Sequence, residues 1–494
     1  MNYAYSRRDF LKSAAAVSAY GYLGFPFAKA EVEPTLRLQV GIVSDTHLKE
    51  KVPAYATRLE NALKLFSARN VDLVIHAGDI TETSAAAEFA AAAAAWETAF
   101  PNNRAQDGRE VQRIFITGNH DSSPANGAAI LNTTEVAAGK LTVNGYDFIY
   151  ANWGSGAWGN LKVNYDQVKT LVEAEASGDK PFFYISHAAL HETAFSAHAS
   201  TLDANGKLAE STYFFECDPK DRTNPAYPYD GGRLVSSLLA AKGNCIALTG
   251  HVHASLTDET AFWGNGNSFS CVACSSTNQV SSAPERENGW SWLDSSVTTT
   301  ARKSMYFNDL DANGHSAQLD YQDAQHILIM KVYDDRVVFE RLDLADNGAK
   351  LGPDWVVEKN AQGQFNAVTS QLSLVPQFAE GVRRATITKN ALHTQKFACV
   401  SFPAVYSATG VRAYDYRVRY GEEEKICYAQ GLLHSEAYDA ETFAGRVVCK
   451  FKWNENATAA GVRVWPRNAL GVEGTELSLR AGPDAVHPIT MIVR

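Results

Sequence analysis

The chain is 494 residues long, 45% hydrophobic and 20% charged, with a formal net charge of −10. That length and composition describe a globular protein with room for a sizeable core and for more than one domain. The acidic balance argues against a nucleic-acid partner, but it leaves an anionic substrate open where metal ions dominate the local field.

The chain opens with a twin-arginine pattern, Ser6-Arg7-Arg8-Asp9-Phe10-Leu11-Lys12. A mildly apolar stretch from Ser13 to Phe27 follows, then Ala28-Lys29-Ala30, an A-x-A cleavage site. The segment resembles bacterial Tat export signals, whose pathway carries folded proteins. The resemblance implies removal of residues 1–30, the Tat translocase as partner during export, and a periplasmic or secreted mature chain. Metals can be loaded before such export. No later stretch reaches about 18 consecutive apolar residues, so no membrane span is expected in the mature chain. The seven cysteines form no dense framework. Cys271-x-x-Cys274 lacks a second such pair and sits in a strand-like run, so it reads as buried or incidental thiols. A disulfide within the C-terminal region stays open.

After the signal, Leu36 to Val43 reads as a buried strand ending in Ser44-Asp45-Thr46-His47. Leu59, Ala62, Leu63 and Phe66 fall at helical spacing. Val71 to Ile75 is a second strand and runs into His76-Ala77-Gly78-Asp79. Ser84 to Ala99, rich in alanine, predicts a helix. A loop from Pro101 to Gly108 leads to the strand Val111 to Ile116, which ends in Thr117-Gly118-Asn119-His120-Asp121. A hairpin around Asn144-Gly145 and a helix bearing Val168, Leu171 and Val172 come next, before the strand Pro181 to Ser186 that ends in His187. A helix with Leu234, Val235, Leu238 and Leu239 precedes the strand Cys245 to Thr249, which ends in Gly250-His251-Val252-His253. Alternate strand residues point the same way, so ligands two apart can lean toward one point. Strand, ligand-bearing loop, helix, strand is the rhythm of a layered α/β fold with its site at the carboxyl ends of strands.

Asp-x-His, Gly-Asp, Gly-Asn-His-Asp, His and Gly-His-x-His, in this order and each after an apolar strand, resemble the calcineurin-like metallophosphoesterase superfamily over about residues 36–345. The resemblance implies a four-layer αββα metallophosphoesterase sandwich that hydrolyses phosphate mono- or diesters with two divalent transition metals. Such a pair, about 3.5–4 Å apart, acidifies a bound water and clamps the transferring group. Carried onto this chain, the motifs put Asp79 between the metals. Asp45, His47 and His253 complete the first metal, and Asn119, His187 and His251 the second. His120 becomes the general acid, with Asp121 orienting its ring. Mixed nitrogen and oxygen ligands suit manganese, iron, zinc or cobalt. The Asp-x-His pair speaks against the purple acid phosphatases, whose iron site uses a tyrosine. His76 reads equally as a helper of the site or a satisfied core residue, and His191 and His198 as structural or surface residues.

Substrate choice is expected in the insertions 188–230 and 254–325, which carry Tyr213, Phe214, Phe215, Tyr227 and Tyr229, then Arg286, Trp290, Trp292 and Arg302. These rings serve equally well as loop packing. His326 to Tyr333 and Arg336 to Leu342 read as a hairpin closing a domain at 31–347. Residues 348–381, mixed and containing Pro and Gly, read as a linker. From 382 to 494, short β-rich runs predict an all-β sandwich-like domain of immunoglobulin or fibronectin type III size. A second class of function stands beside the enzyme. It is a cell-surface or periplasmic binding protein that works through the C-terminal β-domain, its metal site vestigial. The intact ligand set counts against it.

Overall fold

The structure is a computed structural model, and it describes residues 34–135, 138–153, 161–175, 179–190, 193–194, 231–253, 255–257, 261–264, 269–278, 280, 324–367, 376–378, 382, 384–392, 395–403, 405, 415–427, 446–467 and 473–481. The export signal, His191, His198 and the insertion aromatics and arginines named above lie outside the described residues.

Three parallel strands begin the first sheet: β1 (Leu36–Val43), β2 (Leu73–His76) and β3 (Gln112–Phe115). β10 (His326–Tyr333) adds antiparallel to β1, and β11 (Arg336–Asp343) adds antiparallel to β10 through the expected hairpin. The sheet then continues through β13 (Trp355–Lys359) and β14 (Phe365–Ala367), with β12 (Ala349–Lys350) on β11. This corrects the linker reading for residues 349–367. Gly348, Gly352 and Pro353 suggest a loose connection, yet Leu351, Trp355, Val357 and Phe365 are buried. Their burial makes the segment part of the core.

The second sheet has the order β4-β5-β6-β7-β9-β8. Its strands are β4 (Ala138–Val143), β5 (Tyr146–Ala151), β6 (Phe182–Ser186), β7 (Cys245–Thr249), β8 (Phe262–Gly264) and β9 (Ser270–Ala273). Asn144 and Gly145 join β4 to β5 with φ of 50° and 78°, the left-handed pair that a two-residue hairpin requires. β5, β6, β7 and β9 are mutually parallel neighbours.

Alternation assigns the layers. Leu73 and Ile75 join Val40, Ile42, Phe148, Tyr184 and Leu248 in the core between the sheets. Val74 points the other way, with Val43, Ile327 and Ile329, onto α1 (Pro53–Ala68) and α2 (Ala86–Ala99). α1 begins on Pro53, whose fixed φ suits a first helical position, and buries Leu59, Ala62, Leu63 and Phe66. α2 starts where Glu88 Oε2 accepts from the Thr83 and Ala85 amides. α3 (Leu161–Ala174) and α4 (Gly231–Ala240) contribute Val168, Val172, Val235 and Leu239 to the core of the second sheet. Each such large apolar side chain stabilises by roughly 2 kcal/mol. The result is a mixed α/β fold with helices outside two facing sheets.

An additional β-sheet domain follows. β15 (Arg384–Leu392), β16 (Gln395–Pro403), β17 (Asp415–Tyr420), β18 (Glu423–Cys427), β19 (Arg446–Lys452), β20 (Val462–Arg467) and β21 (Leu477–Ala481) are ordered β18-β17-β20-β21-β15-β16-β19. β15 runs parallel to β21, and the end strands meet where Lys452 N donates to Glu423 Oε2 at 2.9 Å. Tyr416, Val418 and Tyr420 face its core, while Arg417 and Arg419 face outward onto Glu473 and Glu424. A short helix, α5 (Glu455–Ala460), is capped by Asn454. Cys449 is disulfide-bonded, whereas Cys245 in β7, Cys271 in β9 and Cys274 just after β9 are free and buried. Among the described residues no helix is long and apolar enough to cross a membrane.

Candidate metal centre

The carboxyl ends of the parallel strands are level. Val43 pairs with His76 and His76 with Phe115. Ala151, Ser186, Thr249 and Ala273 line up likewise in the other sheet. The loops beyond these ends meet, which is where open α/β sheets place their ligands. Gly250 permits the meeting, since a Cβ there would lie 2.6 Å from the Ala77 carbonyl oxygen and 2.9 Å from Asp45 Oδ2. Gly118 does the same for Asp79, whose amide and carboxylate occupy the space of a side chain.

Asp45, His47, Asp79, His251 and His253 lie past the strand ends, all with φ between 43° and 69°. This left-handed region costs a non-glycine residue about 1 kcal/mol. Strand alternation therefore does not aim these side chains; loop hydrogen bonds do. After β1 the ladder continues into the loop after β2, with Asp45 N donating to Gly78 O, His47 N to Asp79 O and Leu48 N to Ile80 O. After β7 the chain turns at once, Val252 N donating to Gly250 O at 2.8 Å. His251 N also donates to both oxygens of Asp45, at 3.1 Å each.

Two buried groups result, Asp45 with His47 and His253, and Asp79 with His187 and His251. His253 Nε2 is 3.1 Å from Asp45 Oδ1 and 3.0 Å from His47 Nε2. Asp79 Oδ2 lies 3.3 Å from His187 Nε2 and 3.6 Å from His47 Nε2, so one carboxylate oxygen touches both groups. Asn119 Oδ1 is 3.1 Å from His187 Nε2. His120 projects alongside, its ring 4.7 Å from that of His47 and 38% exposed. Its amide donates to Asp79 Oδ1.

The donor set fits cations. His187 Nδ1 faces the Ala77 carbonyl at 2.8 Å and His47 Nδ1 faces the Glu82 carboxylate at 2.8 Å. Neither partner can donate, so each Nδ1 carries the hydrogen and each Nε2 turns a lone pair inward. Those lone pairs confront His253 Nε2, Asn119 Oδ1 and Asp79 Oδ2, a convergence that a positive charge must bridge. Without one, protons answer. Burial opposes the charge on His187, but Asp79 overrides it and raises the imidazole to about 9. Burial, then the charge of His187, lowers His251 to about 3. Burial works against the Asp79 and Asp45 carboxylates, yet histidine charge holds both below the usual range.

One expected role is overturned. Asp121 does not orient His120. Its carboxylate accepts from Ile80 N, Thr81 N, Thr81 Oγ1 and Gly118 N, tying the loop after β2 to the loop after β3. The His120 ring is set instead by the Glu82 carbonyl, which accepts from Nδ1 at 2.9 Å. The reason is local: neighbouring residues of a turn project apart, so sequence adjacency to His120 carries no contact. Glu82 itself is absent from the expected site. Burial opposes its charge, but His47 and Lys49, whose Nζ is 3.0 Å from Oε1, bring it down to about 2. Its position three residues after Asp79 in the same loop was the available signal. Trp153 also went unread; its ring lies 5.5 Å from His187 and 5.7 Å from His251. His76 is fully buried. Thr46 Oγ1 donates to Ile80 O, so His76 Nε2, 2.9 Å away, is the donor to Thr46. Burial pulls its pKa down to about 3.

Residues 38–255 match the family model for calcineurin-like phosphoesterases. It is similar to a dimetal phosphatase from Danio rerio at 11% identity and TM-score 0.39, with 66% of this chain and 100% of that chain covered. A purple acid phosphatase from yellow lupin (Lupinus luteus) seeds matches at 13% identity and TM-score 0.39, over 67% of this chain and 55% of its own. PhoD matches at 11% identity and TM-score 0.37, over 68% and 72%. No curated protein matches the sequence.

Proposed function

We propose that this protein is an exported phosphohydrolase that cleaves phosphate mono- or diesters with two divalent metal ions. Asp45, His47 and His253 hold the first ion, Asn119, His187 and His251 the second, and Asp79 is shared. The observation that carries the reading is Asp79 Oδ2, within 3.3 Å of His187 Nε2 and 3.6 Å of His47 Nε2. Bound there, two divalent cations acidify water and neutralise charge on the phosphoryl oxygens. The chain supplies the rest. Glu82 and the Ala77 carbonyl fix the tautomers of His47 and His187. The His120 Nδ1–H is held on the Glu82 carbonyl, which leaves Nε2 on the open side to carry a proton to the leaving oxygen. Export is supported by the Arg7-Arg8 signal pattern and by the bonded state of Cys449, which suits an oxidising compartment.

The test is hydrolysis of p-nitrophenyl phosphate and bis-p-nitrophenyl phosphate with Mn²⁺, Fe²⁺, Zn²⁺ or Co²⁺ and after chelation, with metal content measured on the same samples. Turnover that disappears on chelation and returns with metal is expected; no turnover of either ester under any metal sinks the hydrolase. Replacing Arg7 and Arg8 with lysine should abolish export, and undiminished export would remove that part.

A further inference from the structure

The second ligand group is walled by an aromatic ring. β5 ends at Ala151, level with Ser186 at the end of β6. Trp153 stands two residues past the one end and His187 one residue past the other. The Trp153 backbone is stitched down: its amide donates to Thr117 O at 3.2 Å, and its carbonyl accepts from Thr117 Oγ1 at 3.4 Å. The Asn152 carboxamide accepts from Thr117 N at 3.0 Å and donates to the carbonyls of Thr133 and Glu135. Thr117 is two residues before Asn119, so Trp153 is fixed to the loop that carries a ligand of the second ion. Its partly exposed ring meets His187 edge-on at 79° and leans on His251 at 35°. Those two imidazoles are themselves 5.1 Å apart at 66°, so three rings brace one another. Among the described residues the Trp153 ring meets no imidazole of the first group, where a carboxylate, Glu82, holds His47 instead.

A single hydrogen bond, from Nδ1 to the Ala77 carbonyl, fixes the His187 tautomer but lets the ring swing about that bond. An edge-to-face contact stops the swing, because the positive rim of one ring seeks the negative face of the other. A ring held in place loses less rotational freedom when it takes up an ion. An apolar wall also limits the water that competes for the metal. Both effects fall on His187 and His251. We propose that Trp153 is a positioning residue for the second metal, bracing His187 and His251 so that its ring sets the affinity of that ion alone. The inference rests on the two-metal assignment of the function proposed above.

The experiment titrates metal-free wild type, Trp153→Ala and Trp153→Phe with Co²⁺, reading the heat and the visible spectrum of each equivalent. Trp153→Ala should weaken by about tenfold the equivalent that His251→Ala loses, and leave the one that His253→Ala loses at wild-type affinity. Trp153→Phe should restore most of the loss. Equal weakening of both equivalents, or of neither, overturns the brace. Should Trp153→Ala not fold, Trp153→Leu against Trp153→Phe decides the matter: leucine fills the wall without a ring, and equal affinities in the two variants overturn the proposal. The titration needs no turnover, so it stands apart from the hydrolase reading. Selective weakening with no ester hydrolysed keeps the brace and removes the hydrolase. Turnover of p-nitrophenyl phosphate with both equivalents unaffected in Trp153→Ala does the reverse.

Discussion

Asp45-Thr46-His47 and His251-Val252-His253 share a spacing, a place past a strand end and a left-handed backbone, yet they act differently. The first pair converges on one group; the second divides between two. The cause lies in the middle of each loop. Thr46 is gripped on both sides, by His76 and Ile80 through its hydroxyl and by Asn278 through its carbonyl. With the ladder to Gly78, Asp79 and Ile80, this fixes the loop so that Asp45 and His47 converge on one group. Val252 is only buried apolar surface, and its amide closes a tight turn on Gly250 that throws His251 and His253 apart. An x between two ligands is therefore informative: a polar, bonded x keeps a pair together.

The comparison can be broken at its common point. Asp79→Asn removes charge where both groups meet, and turnover should fall by roughly a thousandfold or more, with both metals weakened. A variant that binds two equivalents as tightly as wild type would show that Asp79 is not shared. The histidine pair comes next. His253→Ala and His251→Ala should each retain one equivalent of metal, and with different residual spectra in Co²⁺-substituted protein. Identical spectra would mean that both histidines serve one site. Glu82→Gln spares every ligand but loosens His47, so metal affinity should drop by about 10–100-fold at the first site only; equal weakening at both would assign Glu82 a general structural role.

The smallest effect on neutral-pH turnover belongs to His76, which grips Thr46. Its pKa is depressed from 6.5 to about 3 on folding. The stability it supports is complete above 6.5 and is lost as pH falls from there toward 3, because only the unfolded chain takes up the proton. The loss reaches roughly 5 kcal/mol. Thermal melts of His76→Gln should flatten over that window, and an unchanged acid limb would place the proton elsewhere.

Much of the site was legible because each candidate ligand follows an apolar run, and buried parallel strands are written as such runs. What failed was geometry that runs cannot encode. The motif resemblance gives Asp121 to His120, while its oxygens are filled by amides of another loop. Glu82 looks like any acidic residue before a helix, and only the fold brings it to His47, 35 positions away. Glycines hid β12 to β14, although Trp355-Val356-Val357 alternates like a strand and stacks Trp355 on Phe262, 5.4 Å away. In the C-terminal domain short β-rich runs announce strands but not their order, since a pairing such as β15 with β21 joins segments far apart in the chain.

The cysteines give the molecule a clock. Cys245, Cys271 and Cys274 are buried in and beside strands of the second sheet with pKa values pushed up by burial, so once that sheet closes they are poor partners for any oxidant. Before closure they compete with Cys449 for the same disulfide chemistry. Closing of the second sheet before oxidation therefore takes these three thiols out of the competition for Cys449. A chain oxidised while still unfolded would be trapped in scrambled pairs that its own buried thiols create.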